Sequence, residues 1–386
     1  MTNALREAMA WSGKRLHWFN PENDLALATG LSNYTPPKAA RMISGAGEAL
    51  PIWYGNEGDI VECCPDEKWL EKVTRDFTPS ATPMSSPVHE SITPCPWGWS
   101  AYARRHFEML GVDVSPLPSA DMIDSMRRLS HRRTAAALAD ELKSLLPDIR
   151  LADAAVECRT PDEVKAFMTA HPAAYLKSPW SSSGRGVIAT AALTADRVMK
   201  FAADSIRHQG SVMAERAYDK TVDFAMLFEC RGGLAMQRGT SVFLTDARGA
   251  YTGNLLAPEA ERLATLTRHH IAPSTLESVR KALTKLLTRH IAPCYNGILG
   301  VDMLVASDGT LDACVELNLR TTMGYVANVF ADRYLHPEAR GMMRSGMSTV
   351  TQQYTAEGGR LAAGTLHLSP PSGGFAFSAE ITSRCP

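Results

Sequence analysis

Two strand-like runs near residue 300 constrain this chain more than any other feature of it. Gly300-Val301-Asp302-Met303-Leu304-Val305 leads into Ser307-Asp308-Gly309, and Val315-Glu316-Leu317-Asn318-Leu319-Arg320 follows. The outer runs have the composition of strands and the middle that of a hairpin turn. Side chains alternate faces along a strand, so Glu316, Asn318 and Arg320 point the same way. With a turn of three or five residues, Asp302 lies opposite Glu316 on that face. The ordinary alternative is a solvated polar face. These strands are rich in Val and Leu, however, and burying unpaired carboxylates is costly. Two carboxylates and an amide oxygen on one rigid platform suit a hard divalent cation such as Mg²⁺, which keeps waters and takes its other ligands from phosphates.

Asp302 followed about a dozen residues later by Glu-x-Asn resembles the metal platform of the ATP-grasp superfamily. The longer Glu316-Leu317-Asn318-Leu319-Arg320 is similar to the Glu-x-Asn-x-Arg of biotin carboxylase and carbamoyl phosphate synthetase. The set Asp302, Glu316 and Asn318 is similar to that of D-alanine–D-alanine ligase. Glu-x-Asn alone is a weak motif, so its meaning rests on what lies upstream.

Upstream, Ala174-Tyr175-Leu176-Lys177-Ser178-Pro179 reads as a short strand ending in Lys, followed by Trp180-Ser181-Ser182-Ser183-Gly184-Arg185-Gly186-Val187. A Ser/Gly loop lets backbone N–H groups approach phosphate oxygens, and a Lys adds a point charge. An ordinary hairpin turn with a surface Lys is the plain alternative. The P-loop pattern is absent, since no Gly-Lys-Ser/Thr opens a helix. The run resembles the ATP-grasp strand lysine and glycine-rich lid loop, which implies phosphate binding by Lys177, Ser183, Gly184, Arg185 and Gly186.

Further on, Ser211-Val212-Met213-Ala214-Glu215-Arg216-Ala217-Tyr218 is an apolar strand running into a polar hinge, with Asp223 just beyond. By the same resemblance Glu215, Arg216 and Tyr218 take the adenine role and Asp223 the ribose role. One family feature is missing: a first Lys opening the helix before the lid. That region reads Leu129-Ser130-His131-Arg132-Arg133-Thr134-Ala135, with Ser130 as N-cap and an Ala-rich helix after it. His131, Arg132 or Arg133 must stand in, an Arg being a tolerable but not equivalent replacement since it binds phosphate bidentately; the sequence does not choose among the three, and Arg132 is named among the nucleotide-binding candidates.

The chain has 386 residues, 45% hydrophobic, with net charge −1. That length allows two or three domains with sizeable cores. No basic excess points to nucleic acid and no apolar run reaches membrane-spanning length. The first fourteen residues lack the apolar core of a signal peptide. The eight cysteines show no Cys-x-x-Cys spacing and no Cys/His cluster, so they read as reduced thiols of a cytoplasmic protein.

Along the chain, the segments 15–20, 51–54, 59–62 and 112–114 read as strands and 99–110 as a helix, which suggests an open α/β sheet. The expected organisation is an N-terminal open α/β domain over 1–125, a lid over 126–214, an α+β half over 215–345 carrying the platform, and an extension over 346–386. Thr267 to His290 reads as one helix, and 364–368 with 375–381 as a hairpin. The polar turn Asn20-Pro21-Glu22-Asn23-Asp24 follows the first strand directly, where open α/β sheets bind ligands. Asn20, Glu22, Asn23, Asp24 and Arg320 are therefore the candidate substrate residues. Pro94-Cys95-Pro96-Trp97-Gly98-Trp99-Ser100 reads as a stiff aromatic loop entering a helix, a pocket wall or simply a packed cap.

The resemblance, which covers roughly 126–330, implies an ATP-grasp fold preceded by an α/β domain. It also implies an ATP-dependent carboxylate–amine or carboxylate–thiol ligase working through an acyl phosphate. Its cofactors would be ATP and Mg²⁺, with Mn²⁺ as a substitute, and its partners small-molecule carboxylates and amines. Lys177 and Arg320 would carry the chemistry. A small-molecule kinase on the same fold and a non-catalytic nucleotide-binding protein are the alternatives.

Overall fold

The computed structural model describes residues 13–84, 92–113, 116–181, 186–246 and 249–384. Three sheets organise them. The first is parallel, with Arg15–Trp18 between Ile60–Val61 and Thr93–Pro96, and Thr82–Pro83 outside. Thr93–Pro96 sits at an edge, the position at which a strand tolerates prolines that cannot donate to a ladder. The segment expected as a loop wall is thus partly a strand. Ser100 then caps the helix Ala101–Met109 by accepting from the Ala103 N–H.

Two other expectations for this region fail. Pro51–Tyr54 is a helical turn rather than a strand, because Pro51 occupies the first helical position and the Gly55 N–H closes back on the Pro51 carbonyl. Val112 and Asp113 lie in no strand, and Val114 falls outside the described residues.

The second sheet lies almost entirely within the segment expected to be the lid. Its four antiparallel strands include Ala174–Lys177 and Val212–Arg216, and helices Pro161–Ala170 and Ala195–Gln209 pack on it through Leu176, Val198, Ala202 and Val212.

The third sheet has nine antiparallel strands. Lys220–Arg231, Leu234–Thr245, Gly297–Ala306 and Leu311–Asn318 form one side, and strands from Ala339–Met347 to Phe375–Arg384 extend it. Arg360–His367 pairs antiparallel with Phe375–Arg384, which matches the expected C-terminal hairpin. Strand parity divides the faces. Phe224, Met226, Phe228, Val301, Met303 and Leu317 pack in one core with the helices Arg132–Leu145 and Pro273–His290. The opposite face is left to Asp223, Asp302, Glu316, Asn318 and Arg320. The stretch read as one helix from Thr267 is broken: Glu259–Arg268 ends, His270 takes φ 66°, and Pro273 opens the next helix. No helix among the described residues is long and apolar enough to cross a membrane.

Candidate active site

The hairpin register puts Asp302 opposite Glu316 and Gly300 opposite Asn318. The Asn318 amide donates to Asp302 Oδ2 at 2.9 Å, and Arg320 donates to Asn318 Oδ1 at 2.9 Å. Arg320 also donates through Nε to Asp24 Oδ2 at 2.9 Å. Burial, then Glu316, pushes the Asp302 carboxyl up to about 7, with Arg320 and Asn318 opposing. Asp24 is also raised, chiefly by burial, against the pull of Arg320.

Of the three basic residues at the lid helix, the structure turns Arg132 inward. Its guanidinium lies 2.9 Å from Glu316 Oε1 and donates to the Ser178 carbonyl and Ser181 Oγ, each at 3.2 Å. Arg133 instead pairs with Glu157 at 2.8 Å on the outside. His131, not Ser130, is the N-cap, accepting from the Arg133 N–H; Ser130 ends the preceding helix.

Lys177 is buried and forms an ion pair with Glu215. The two are diagonal neighbours on adjacent strands, with Tyr175 opposite Glu215 and Lys177 opposite Met213. Of the lid loop, Ser183, Gly184 and Arg185 lie outside the described residues. Gly186 has φ 72°, its carbonyl accepts from the Ser178 N–H at 2.8 Å, and a Cβ there would lie 3.0 Å from the Ser181 Cβ. The positive φ and the close serine side chains favour glycine at this position.

At the hinge, Tyr218 accepts from the Asp153 N–H at 3.2 Å and lies under the Arg216 guanidinium, 5.2 Å from its ring centre. Asp223 accepts from Lys220 at 2.5 Å and from the Thr245 hydroxyl at 2.9 Å. Asp312, which the sequence reading passed over, joins Lys177 and Glu215 around a cleft also lined by Arg132. Burial, then Glu215, pushes Asp312 up to about 6. Its parity with Glu316 along one strand was the available signal. This cleft holds about 10 Å³ of space, far below the several hundred of a typical small-molecule site. A second space of about 180 Å³ is lined by Asp302, Glu316, Asn318 and Arg320 together with Ser241 and Asn254.

The polar turn after the first strand serves mainly the fold. Asn20 donates to the Gly98 carbonyl at 2.9 Å and accepts from the Gly98 N–H at 3.2 Å. Glu22 accepts from Ser44 at 2.8 Å, and Asn23 is fully buried against Gly98. Of the candidate substrate residues in this turn, Asp24 alone reaches the platform, through Arg320.

No family model matches the sequence, and no curated protein matches it. Solved structures do. Biotin carboxylase of Campylobacter jejuni, in a β,γ-ATP complex, aligns over 100% of this chain and 89% of its own with 10% identity and a TM-score of 0.51. The biotin carboxylase domain of Hydrogenobacter thermophilus 2-oxoglutarate carboxylase, with MgADP, ADP and bicarbonate, aligns over 96% and 86% with 9% identity and a TM-score of 0.52. Pyruvate carboxylase of Rhizobium etli aligns over 97% of this chain and 36% of its own, with 11% identity and a TM-score of 0.51. At such identities the likeness is one of fold. This chain has the ATP-grasp fold.

Proposed function

We propose that the chain is an ATP-dependent ligase that activates a small carboxylate and joins it to an amine or a thiol. The observation that carries this reading is the convergence on one floor of Asp302, Glu316 and Asn318, with Arg132 reaching Glu316 from the lid side. The donor set fits Mg²⁺. Two part-buried carboxylates lie on paired strands, and burial with the neighbouring Glu316 carboxylate raises Asp302 to about 7 despite Arg320, a repulsion that a bound cation would relieve. Asp302, Glu316 and Asn318 Oδ1 would hold the cation, which supplies neutralisation of phosphate charge when bound.

Arg132 and Lys177 would bind phosphate oxygens, exchanging Glu316 and Glu215 for the nucleotide. Arg320 would hold the acceptor carboxylate, as its guanidinium holds the Asp24 carboxylate in this structure. The γ-phosphoryl then passes to that carboxylate, and the resulting acyl phosphate is attacked by the nucleophile with loss of phosphate. The closed lid excludes water from this intermediate. Glu215, Arg216, Tyr218 and Asp223 are proposed for the adenosine end, with Ser183, Gly184, Arg185 and Gly186 over the phosphates.

The test is incubation with MgATP, a pool of small carboxylates and hydroxylamine. The ligase yields a hydroxamate in step with ADP and inorganic phosphate. A stable phosphorylated alcohol with no hydroxamate selects the kinase instead.

A further inference from the structure

A cavity of about 790 Å³ lies between one face of the parallel sheet and the tip of the Lys220–Arg231 and Leu234–Thr245 hairpin. Its wall includes Cys95 and His17, which face each other on paired strands. The second imidazole nitrogen, Nε2, lies 2.9 Å from Asp59 Oδ2. His17 Nδ1 is buried without a hydrogen-bond partner, and Cys95 is the residue beside His17 across the strand pair. Arg15 donates to both Asp59 oxygens, its Nε to Oδ2 at 3.0 Å and its backbone N–H to Oδ1 at 3.1 Å. Cys95 is only part-buried, so the cavity reaches it.

We propose that Cys95, His17 and Asp59 form a nucleophilic thiol site that accepts the acyl group of a small anionic ester or amide bound in this cavity. Such a site needs a thiol, a base in contact with it and a group fixing the base, and the three side chains supply these in order. Cys95 gives its proton to His17 Nδ1. The sulfur bonds to the acyl carbon, the carbon–oxygen or carbon–nitrogen bond breaks, and the leaving group takes the proton from His17. Water then hydrolyses the thioester and restores the thiol. Asp59 is the positioning residue, holding the ring through Nε2.

The preference for an anion follows from the wall, which carries Arg15, Arg231, Arg238 and Arg333 against Glu229 and the Asp59 carboxylate paired with Arg15. Arg231 is held below its usual value by burial, with Arg15 and Arg238 nearby adding to the effect, so the guanidinium groups crowd one another. The groups facing the thiol are His17 and Arg15 on the neighbouring strand, Asp59, Tyr54 and Tyr295. Burial works against a Cys95 thiolate, but His17 and Arg15 outweigh it and set the thiol below its ordinary value. Other cysteines behave oppositely: burial pushes Cys63 and Cys230 up to about 12 and Cys158 up to about 11.

The test uses the full chain without ATP, so that its failure is independent of the ligase reading. Alkylation by iodoacetamide at pH 6 is followed by mass spectrometry. Cys95 should react at least about tenfold faster than exposed Cys64. His17→Gln should remove that excess, and Asp59→Asn should move the Cys95 pH profile upward, each with folding checked by thermal melting. The mono-p-nitrophenyl ester of glutaric acid should then give a burst of one equivalent of nitrophenolate, with a glutaryl group on Cys95 in chain quenched with acid during the burst, followed by slower turnover as the thioester hydrolyses; the burst should be faster than with neutral p-nitrophenyl acetate. Equal rates at Cys95 and Cys64 in the wild-type chain would overturn the proposal whether or not the variants fold. So would faster acylation by the neutral ester.

Discussion

Arg132 of the lid-side helix lies 2.9 Å from the carboxylate of Glu316 on the platform. The pair ties the N-terminus of the helix Arg132–Leu145 to the strand Leu311–Asn318 on which that helix packs. It also places the group expected to bind phosphate on the group expected to bind metal.

Breaking this pair should cost both stability and turnover. Arg132→Ala leaves the part-buried Glu316 without its partner and should destabilise the metal-free protein by about 1–3 kcal/mol in denaturant titration. Turnover should fall at least about tenfold. Arg132→Lys should recover part of the stability but less of the activity, because a lysine cannot keep the forked contacts to Ser178 and Ser181. Full activity in both variants would remove Arg132 from the phosphate site.

Asp302 allows function to be separated from stability. Its carboxyl is raised in the folded chain to about 7, against about 3.9 when unfolded. The folded state therefore holds the proton more tightly. Stability falls as pH rises from about 4 and levels off above about 7, a loss of at most about 4 kcal/mol in the absence of cation. Asp302→Asn should raise the melting temperature at pH 8 but not at pH 4, while removing nearly all turnover. Glu316→Gln should remove turnover with the fold intact. An Asp302→Asn variant that melts lower at pH 8 and keeps its activity would show the carboxylates to be only a polar face.

Lys177 and Glu215 make a separable case. Lys177→Met removes the cation from a cleft that also holds Asp312. It should abolish the thermal shift produced by MgATP and push Asp312 further up, visible as a titration above its present value of about 6. An unchanged MgATP shift would place the phosphates elsewhere.

Arg320 tests where the acceptor sits. Arg320→Lys keeps the charge but loses the paired contacts to Asp24 and Asn318. Acceptor turnover should fall about tenfold, or ~1.4 kcal/mol, with ATP binding little changed. Equal loss of both would mean that Arg320 serves the nucleotide.

How much of this was legible in the sequence depended on whether the signal was local. The pairing of Asp302 with Glu316 followed from alternation across one short hairpin. Lys177 at a strand end and the hinge after Val212–Arg216 were equally local. Arg132 could not be told from His131 and Arg133, because the choice depends on which side of a helix N-terminus faces the lid. Ile52, Trp53 and Tyr54 favour strands, but the Pro51 start and Gly55 end made a helical turn of them. Thr93–Pro96 was hidden by its prolines, and the meeting of Cys95 with His17 by the long stretch of chain between them. Asn20 and Glu22 have the polarity of a ligand turn, yet the fold uses them on Gly98 and Ser44.

The central claim, that this floor binds MgATP, is tested most directly by calorimetric titration of the purified chain with ATP in excess Mg²⁺. The account predicts one site per chain with a dissociation constant at or below about 1 mM, equivalent to about −4.1 kcal/mol or stronger. It also predicts that the heat disappears when Mg²⁺ is removed and in the Asp302→Asn, Glu316→Gln double variant. Well-folded wild-type chain that takes up no ATP, or a double variant that binds MgATP as tightly as wild type, would contradict it.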